Sequence, residues 1–270
     1  MKKTIIALLA LAGVASAAEM TDGLAAWWTF DNGSSSYVSY TNATAGVTTG
    51  LTPNHFTATG GVDGNGFISN VVKVDDSDKR FDFYNDLSGF NISASSFTLS
   101  FKVRGTSADY RDILNFAIDG IDGSLRLQTE NPNQGSDVCL YGTSLEVTND
   151  AAREAIRGKD GWANVIIVGN GTTLTLNING YTSTVEYTPT ADGKVRNLQF
   201  GALWGGGETD RRVNADYDDI AIWNRALSDA EVKLLASGAT ANGALPIPEP
   251  TTATLSLLAL AGLAARRRRK

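Results

Sequence analysis

Alternation of apolar and polar residues dominates the middle of the chain. From Ser96 to Arg104, Phe97, Leu99, Phe101 and Val103 fall on one face and polar residues on the other, the pattern of a half-buried strand. Leu114, Phe116 and Ile118 repeat it up to the turn dipeptide Asp119-Gly120, and Leu125 and Leu127 resume it after Asp122-Gly123. A clear unit runs from Trp162 to Tyr187. A strand to Val168 breaks at Asn170-Gly171, then Leu174, Leu176 and Ile178 alternate up to Asn179-Gly180. That dipeptide predicts a type I′ hairpin, because both central residues of the turn need positive φ. Tyr181, Ser183, Val185 and Tyr187 form the return strand, so the three strands make a meander.

Two short helices interrupt the strands. Thr148-Asn149-Asp150 can cap a helix over about 150–157, ended by Gly158. Ser228-Asp229-Ala230-Glu231 is a capping box for a second helix, with Leu234 and Leu235 on its apolar face and Gly238 at its end. Many short strands separated by turns point to a sandwich rather than to strand–helix–strand units. Residues 32–90 are too loosely patterned to place strands.

The two ends differ from the body. Met1-Lys2-Lys3, the apolar run Thr4 to Val14 and Ala15-Ser16-Ala17 have the three parts of a secretory signal peptide, with signal peptidase cutting after Ala17 or Ala18. Residues 239–247 read as a linker of small residues and prolines. Pro248-Glu249-Pro250 then precedes an apolar stretch and five terminal cations, Arg266 to Lys270. Residues 251–265 would give roughly 22 Å of helix, short for a bilayer core of about 30 Å. The cations hold that end on the cytoplasmic side. This arrangement resembles the PEP-CTERM sorting signal. The resemblance implies a transient inner-membrane anchor through residues 248–270, cleavage by an exosortase-type membrane protease, and delivery to the cell surface or the medium. A plain single-span anchor is the alternative, and both place the body outside.

Composition narrows the chemistry of that body. Without the two basic ends and Glu249 it carries 16 Lys and Arg against 28 Asp and Glu, a net charge of −12. Such a surface repels phosphate backbones, which excludes nucleic acid as a natural partner. One cysteine, Cys139, forms no intramolecular disulfide and reads as a small buried hydrophobe. One histidine, His55, follows the turn signal Pro53-Asn54 and reads as a loop residue. Together these two cannot supply the usual ligand set of a zinc site.

Four segments resemble the concanavalin A-like, laminin-G-like jelly-roll superfamily. They are Leu24 to Asp31, Ser96 to Val103, Gly161 to Gly180, and Tyr217 to Ser228, which carries Asp-Asp-Ile-Ala-Ile-Trp-Asn-Arg-Ala-Leu-Ser. The resemblance implies an all-β fold over residues 18–238, a concanavalin A-like jelly-roll sandwich of two antiparallel sheets with the two short helices. It makes the first and last strands neighbours in one sheet. It also implies sugar binding, adhesion or, in some branches, glycoside hydrolysis. Hydrolysis uses two carboxylates about 5–9.5 Å apart. None of the eight glutamates belongs to the Glu-x-Asp-x-Glu triplet of the laminarinase-like branch, and Glu208-Thr209-Asp210 lacks a third acid. No catalytic residue is assigned.

Two sites are expected. Laminin-G-like domains often hold one calcium ion, and Asp31 and Asp218 are the family-matched acids; their alternative role is to satisfy backbone groups at strand ends. Asp75-Asp76-Ser77-Asp78 lacks the EF-hand pattern and reads as a solvated loop. For ligand binding, Trp204 stands before Gly205-Gly206-Gly207, where a ring can stack on a sugar, with Glu208, Asp210 and Arg211 able to bond hydroxyls. Trp204 is equally placed to be the last core residue of its strand. The resulting expectation is an exported, non-catalytic module for glycans or other extracellular ligands. A glycoside hydrolase or lyase on the same fold and a structural envelope or matrix protein are the alternatives.

Overall fold

A computed structural model describes residues 20–30, 56–57, 61–62, 67–69, 83–105, 111–119, 125–131, 136–158, 161–201, 213 and 215–243. Fourteen strands form two antiparallel sheets among these residues. In chain order they are β1 (Leu24–Trp28), β2 (Phe56–Thr57), β3 (Phe67–Ser69), β4 (Phe83–Asp86), β5 (Phe97–Arg104), β6 (Arg111–Ile118), β7 (Leu125–Asn131), β8 (Ser136–Tyr141), β9 (Leu145–Val147), β10 (Ala163–Gly169), β11 (Thr173–Ile178), β12 (Tyr181–Glu186), β13 (Val195–Phe200) and β14 (Asp216–Trp223). Helix α1 spans Asp150–Ile156 and α2 spans Asp229–Ala236. The expected all-β sandwich with two short helices is the observed architecture.

One sheet has eight strands in the order β12-β11-β10-β5-β14-β3-β2, with β1 also on β14; the other has six, β4-β13-β6-β7-β8-β9. The expected pairing of the first and last strands is present, with Trp27 opposite Ala221 and Trp28 opposite Ile220. The meander closes at Asn179-Gly180, whose φ angles of 49° and 91° are those of a type I′ turn. Asn149 caps α1 by accepting hydrogen bonds from the backbone N–H groups of Ala151 and Ala152. Strands β2, β3 and β4 occupy part of the stretch that carries no clear pattern.

The inward faces of the two sheets share one core. It includes Trp28, Phe97, Leu99, Phe101, Leu114, Phe116, Leu176, Leu198, Phe200 and Ile222. Phe101, Phe200 and Tyr217 meet edge-on or tilted across it, with ring centroids 5.1–6.3 Å apart. The Tyr217 hydroxyl donates to the Ile113 carbonyl oxygen (3.0 Å), which ties the two sheets together. Cys139 is buried, as expected.

The half-buried reading of β5 needs correction. Its second face is buried too: Thr98 is 0 % exposed, Ser100 8 % and Lys102 4 %. A second core covers the eight-stranded sheet from outside, built from Met20, Leu24, Trp27, Ile166, Ala221, Trp223, Leu227, Leu235 and Ala241. The polar groups of β5 are satisfied beneath it. Thr98 Oγ1 donates to the Arg225 carbonyl (3.0 Å) and accepts from Leu227 N–H (2.9 Å), and Lys102 Nζ meets the Asp219 carboxylate at 3.0 Å. Polar residues inside a strand therefore mark a solvent face only where nothing folds back over them.

The capping box of α2 is formed. Ser228 N–H donates to Glu231 Oε2 (2.7 Å) and Glu231 N–H to Ser228 Oγ (3.4 Å), while the Arg225 guanidinium grips both carboxylate oxygens. Burial alone would raise the Glu231 pKa, but the hydrogen bonds from Arg225 and Ser228 outweigh it and hold the group at about 2, against an ordinary 4.5. A depressed carboxylate pKa contributes stability above the unfolded value and loses it as pH falls through the folded one. Glu231→Gln should therefore cost about 2 kcal/mol at pH 7. The gap from the wild type should close between pH 4.5 and 2. Urea denaturation across that range measures it, and a gap that does not change with pH would show that the charge contributes nothing.

Candidate functional site

The outer face of the six-stranded sheet carries a row of polar residues set by strand register. Gln199 on β13 stands opposite Asn115 on β6, and Asn115 opposite Arg126 on β7. The backbone register continues to β4 and β8, with residue 84 opposite Gln199 and residue 141 opposite Arg126. Asp112 on β6 stands opposite Gln128 on β7, and Asn197 on β13 opposite Ala117 on β6. The intervening residues Leu114, Leu127, Leu198 and Phe200 go to the core. Alternation thus leaves amides, one carboxylate and one guanidinium for the other face.

This face is buried: Asp112 and Gln128 are 0 % exposed, Asn115 1 %, Gln199 5 % and Asn197 9 %. Gln128 Nε2 donates to Asp112 Oδ1 at 2.6 Å, a charge-assisted bond that fixes both side chains. Amides both donate and accept, and a carboxylate accepts, so a face of this composition is buried only where its polar groups find partners. Of the buried polar residues described on this face, Asp112 is the one carboxylate.

The segment expected to bind ligand is rooted beside this row. Gly201 N–H donates to the Ile113 carbonyl (3.0 Å), and Val213 N–H donates to the Gly201 carbonyl (3.3 Å). Gly201 and Val213, the described residues that flank 202–212, therefore meet beside Ile113, directly after Phe200. Trp204, Glu208, Asp210 and Arg211 belong to that segment and lie outside the described residues, as do Asp31 and His55.

Asp218 serves the backbone. It is 2 % exposed, Oδ2 accepts from Val62 N–H and Oδ1 from Asp219 N–H, both at 2.8 Å. Its neighbour Asp219 adopts φ 47° and binds Lys102 and the Trp27 indole N–H. These bonds are of the strand-end kind; the expected calcium shell would also need Asp31, which is outside the described residues. Among the described residues no three His, Cys, Asp or Glu side chains gather as metal ligands. The polar row itself escaped the sequence reading. Asn115, Gln128 and Gln199 each alternate with core residues and look there like ordinary solvent-face positions.

The comparisons agree with this fold. A comparison with curated proteins found no match. The binding domain of Paraclostridial Mosquitocidal Protein 1 superposes with a TM-score of 0.50 at 15 % identity, over 81 % of this chain and 52 % of that one. A mutant of HCR/D gives 0.50 at 13 % identity, over 82 % and 52 %. Domain 4 of an extracellular arabinanase from Geobacillus stearothermophilus, in complex with arabinotriose, gives 0.41 at 15 % identity, over 79 % and 98 %. The chain thus spans about half the length of the first two, and identities this low speak to the fold alone. The Laminin_G_3 family, described as the concanavalin A-like lectin/glucanases superfamily, matches residues 75–233, more than half of the sequence. By that match and by its two antiparallel sheets, the chain belongs to the concanavalin A-like lectin/glucanases superfamily.

Proposed function

We propose that this protein is an exported, non-catalytic glycan-binding module. The observation that carries the reading is the match of residues 75–233 to a superfamily of lectins and glucanases. In the proposed mechanism Trp204 supplies the stacking surface, and Glu208, Asp210 and Arg211 around it bond sugar hydroxyls. Glycoside hydrolysis is the competing reading; it would need Glu208 or Asp210 to join Asp112 across the scissile bond.

A structural calcium ion held by Asp31 and Asp218 is part of the proposal, as the family resemblance implies. A glycan-array screen of the purified protein should find a ligand, and EDTA should lower the melting temperature. Trp204→Ala and Arg211→Ala should each weaken binding about tenfold, the loss of one stacked ring or of one or two hydrogen bonds. Absence of any bound glycan, or variants that bind like the wild type, would refute the site. A ligand that is cleaved would move the protein to the hydrolase reading.

Export and sorting belong to the same proposal. The signal-peptide pattern at the N-terminus and the Pro-Glu-Pro tail support secretion, transient anchoring and removal of the tail by an exosortase-type protease. Among the described residues no helix is long and apolar enough to cross a membrane, and the tail lies outside them. Intact mass of the protein recovered from its native host should show both end segments gone. A mass that retains Arg266 to Lys270 would leave a simple membrane anchor instead.

A further inference from the structure

A second site lies on the opposite side of the sandwich. Helix α2 packs on β10 over the outer face of the eight-stranded sheet. Between the helix and the β11–β12 hairpin runs a groove of about 620 Å³. That lies within the range of small-ligand sites, roughly 300–1,000 Å³. Val168 and Leu227 form an apolar floor, Thr175 and Thr182 line the sheet side, and Asp229 and Lys233 line the helix side.

The groove is preformed. At the hairpin tip, Asn164 Nδ2 donates to the Ala236 carbonyl (3.3 Å) and to Asn179 Oδ1 (3.2 Å), which bridges the helix to the hairpin. Beneath the floor, Leu227 and Ala226 donate their N–H groups to Thr98 Oγ1 and Ser96 Oγ of β5 and its approach. The ion pair of Arg225 with Glu231 fixes the start of the helix.

The groove presents oriented donors. Asn170 Oδ1 accepts from the N–H groups of Thr172 and Thr173 (3.1 and 2.8 Å), and Asn179 Oδ1 accepts from Asn164 N–H (2.7 Å). Each amide is therefore locked by its oxygen, and its Nδ2 has no hydrogen-bond partner among the described residues. Asn177, in contrast, uses both ends of its amide within the hairpin, on Thr182 and Gly180. Lys233 forms no ion pair among the described residues, and Asp229 stands one turn before it on the same helix face. Among the described residues no aromatic ring lines the groove. Its described lining offers a ligand amide donors for acceptor oxygens and the Lys233 ammonium for a negative charge. The net −12 of the body opposes anions at long range. At physiological salt charges beyond about 8 Å are screened, so the local ammonium decides.

We propose that this groove binds a carboxylated, uronate-type oligosaccharide, with Lys233 pairing the carboxylate and the Asn170 and Asn179 amides donating to ring and hydroxyl oxygens. The proposal stands apart from the polar row on the six-stranded sheet. Calorimetric titration of the full protein with oligogalacturonate tests it. Lys233→Gln should weaken binding at least tenfold, and Asp229→Asn should strengthen it several-fold by removing a competing carboxylate. The same oligosaccharide with its carboxyls reduced to alcohols should bind at least tenfold more weakly than the acid form. Gln199→Ala and Trp204→Ala should leave the titration unchanged. No binding by the wild type, equal binding by Lys233→Gln, or equal binding of the reduced oligosaccharide would overturn the proposal. Loss of binding in Gln199→Ala would assign the acid ligand to the polar row instead.

Discussion

Strand β14 changes partners along its length, and the whole sandwich depends on how it does so. One edge pairs with β5 throughout, apart from a bulge between Asp218 and Ala221. The other edge pairs with β3 at Asp216 and Tyr217 and with β1 from Ile220 to Trp223. The changeover falls on Asp218 and Asp219, and Asp219 adopts a positive φ that non-glycine residues seldom take. Such a conformation persists only where the surroundings enforce it. Here the Asp219 carboxylate holds the Lys102 ammonium and the Trp27 indole N–H, while the Asp218 carboxylate holds Val62 N–H. Two adjacent acids thus join β1, β5, β14 and the segment before β3 at one buried point. Removing one partner of a buried ion pair is costly, because the other is left charged and unsatisfied.

That point also lies between the polar row and the groove. On its inner side Tyr217 reaches through the core to the Ile113 carbonyl, beside Asp112 and the roots of residues 202–212. Burial, with the nearby Asp216 and Asp112 carboxylates, drives the Tyr217 hydroxyl well above its ordinary pKa, so it remains a neutral donor. On the outer side Lys102 donates to the Gly238 carbonyl and holds down the chain that leaves α2. The second core fixes the helix, and the helix forms one wall of the groove. The polar row and the groove are thus built from opposite surfaces of one rigid frame.

The sequence made the local features legible because local chemistry determines them. A type I′ turn needs two residues at ease with positive φ, and Asn179-Gly180 provides them. A capping box needs Ser and Glu three residues apart, and Ser228 and Glu231 provide it. The pairing of the first and last strands was legible only through resemblance, since no local signal links residues about two hundred positions apart. The buried second face of β5 was not legible, because Thr98, Ser100 and Lys102 are buried by segments distant in sequence. For the same reason Asn115, Gln128 and Gln199 looked like solvent-face residues. Asp218 accepts hydrogen bonds from the backbone N–H groups of Val62 and Asp219, contacts that no motif reveals.

If the Asp218–Asp219 bulge is the keystone, the first strand cannot detach while the rest stays folded. Native-state hydrogen exchange resolves this residue by residue. The amides of Leu24–Trp28 that bond β14 should exchange only through global unfolding, with the same opening free energy as those of β5 to within about 1 kcal/mol. Exchange from β1 at a markedly lower free energy, with β5 still protected, would show that the terminal pairing is peripheral and contradict this account.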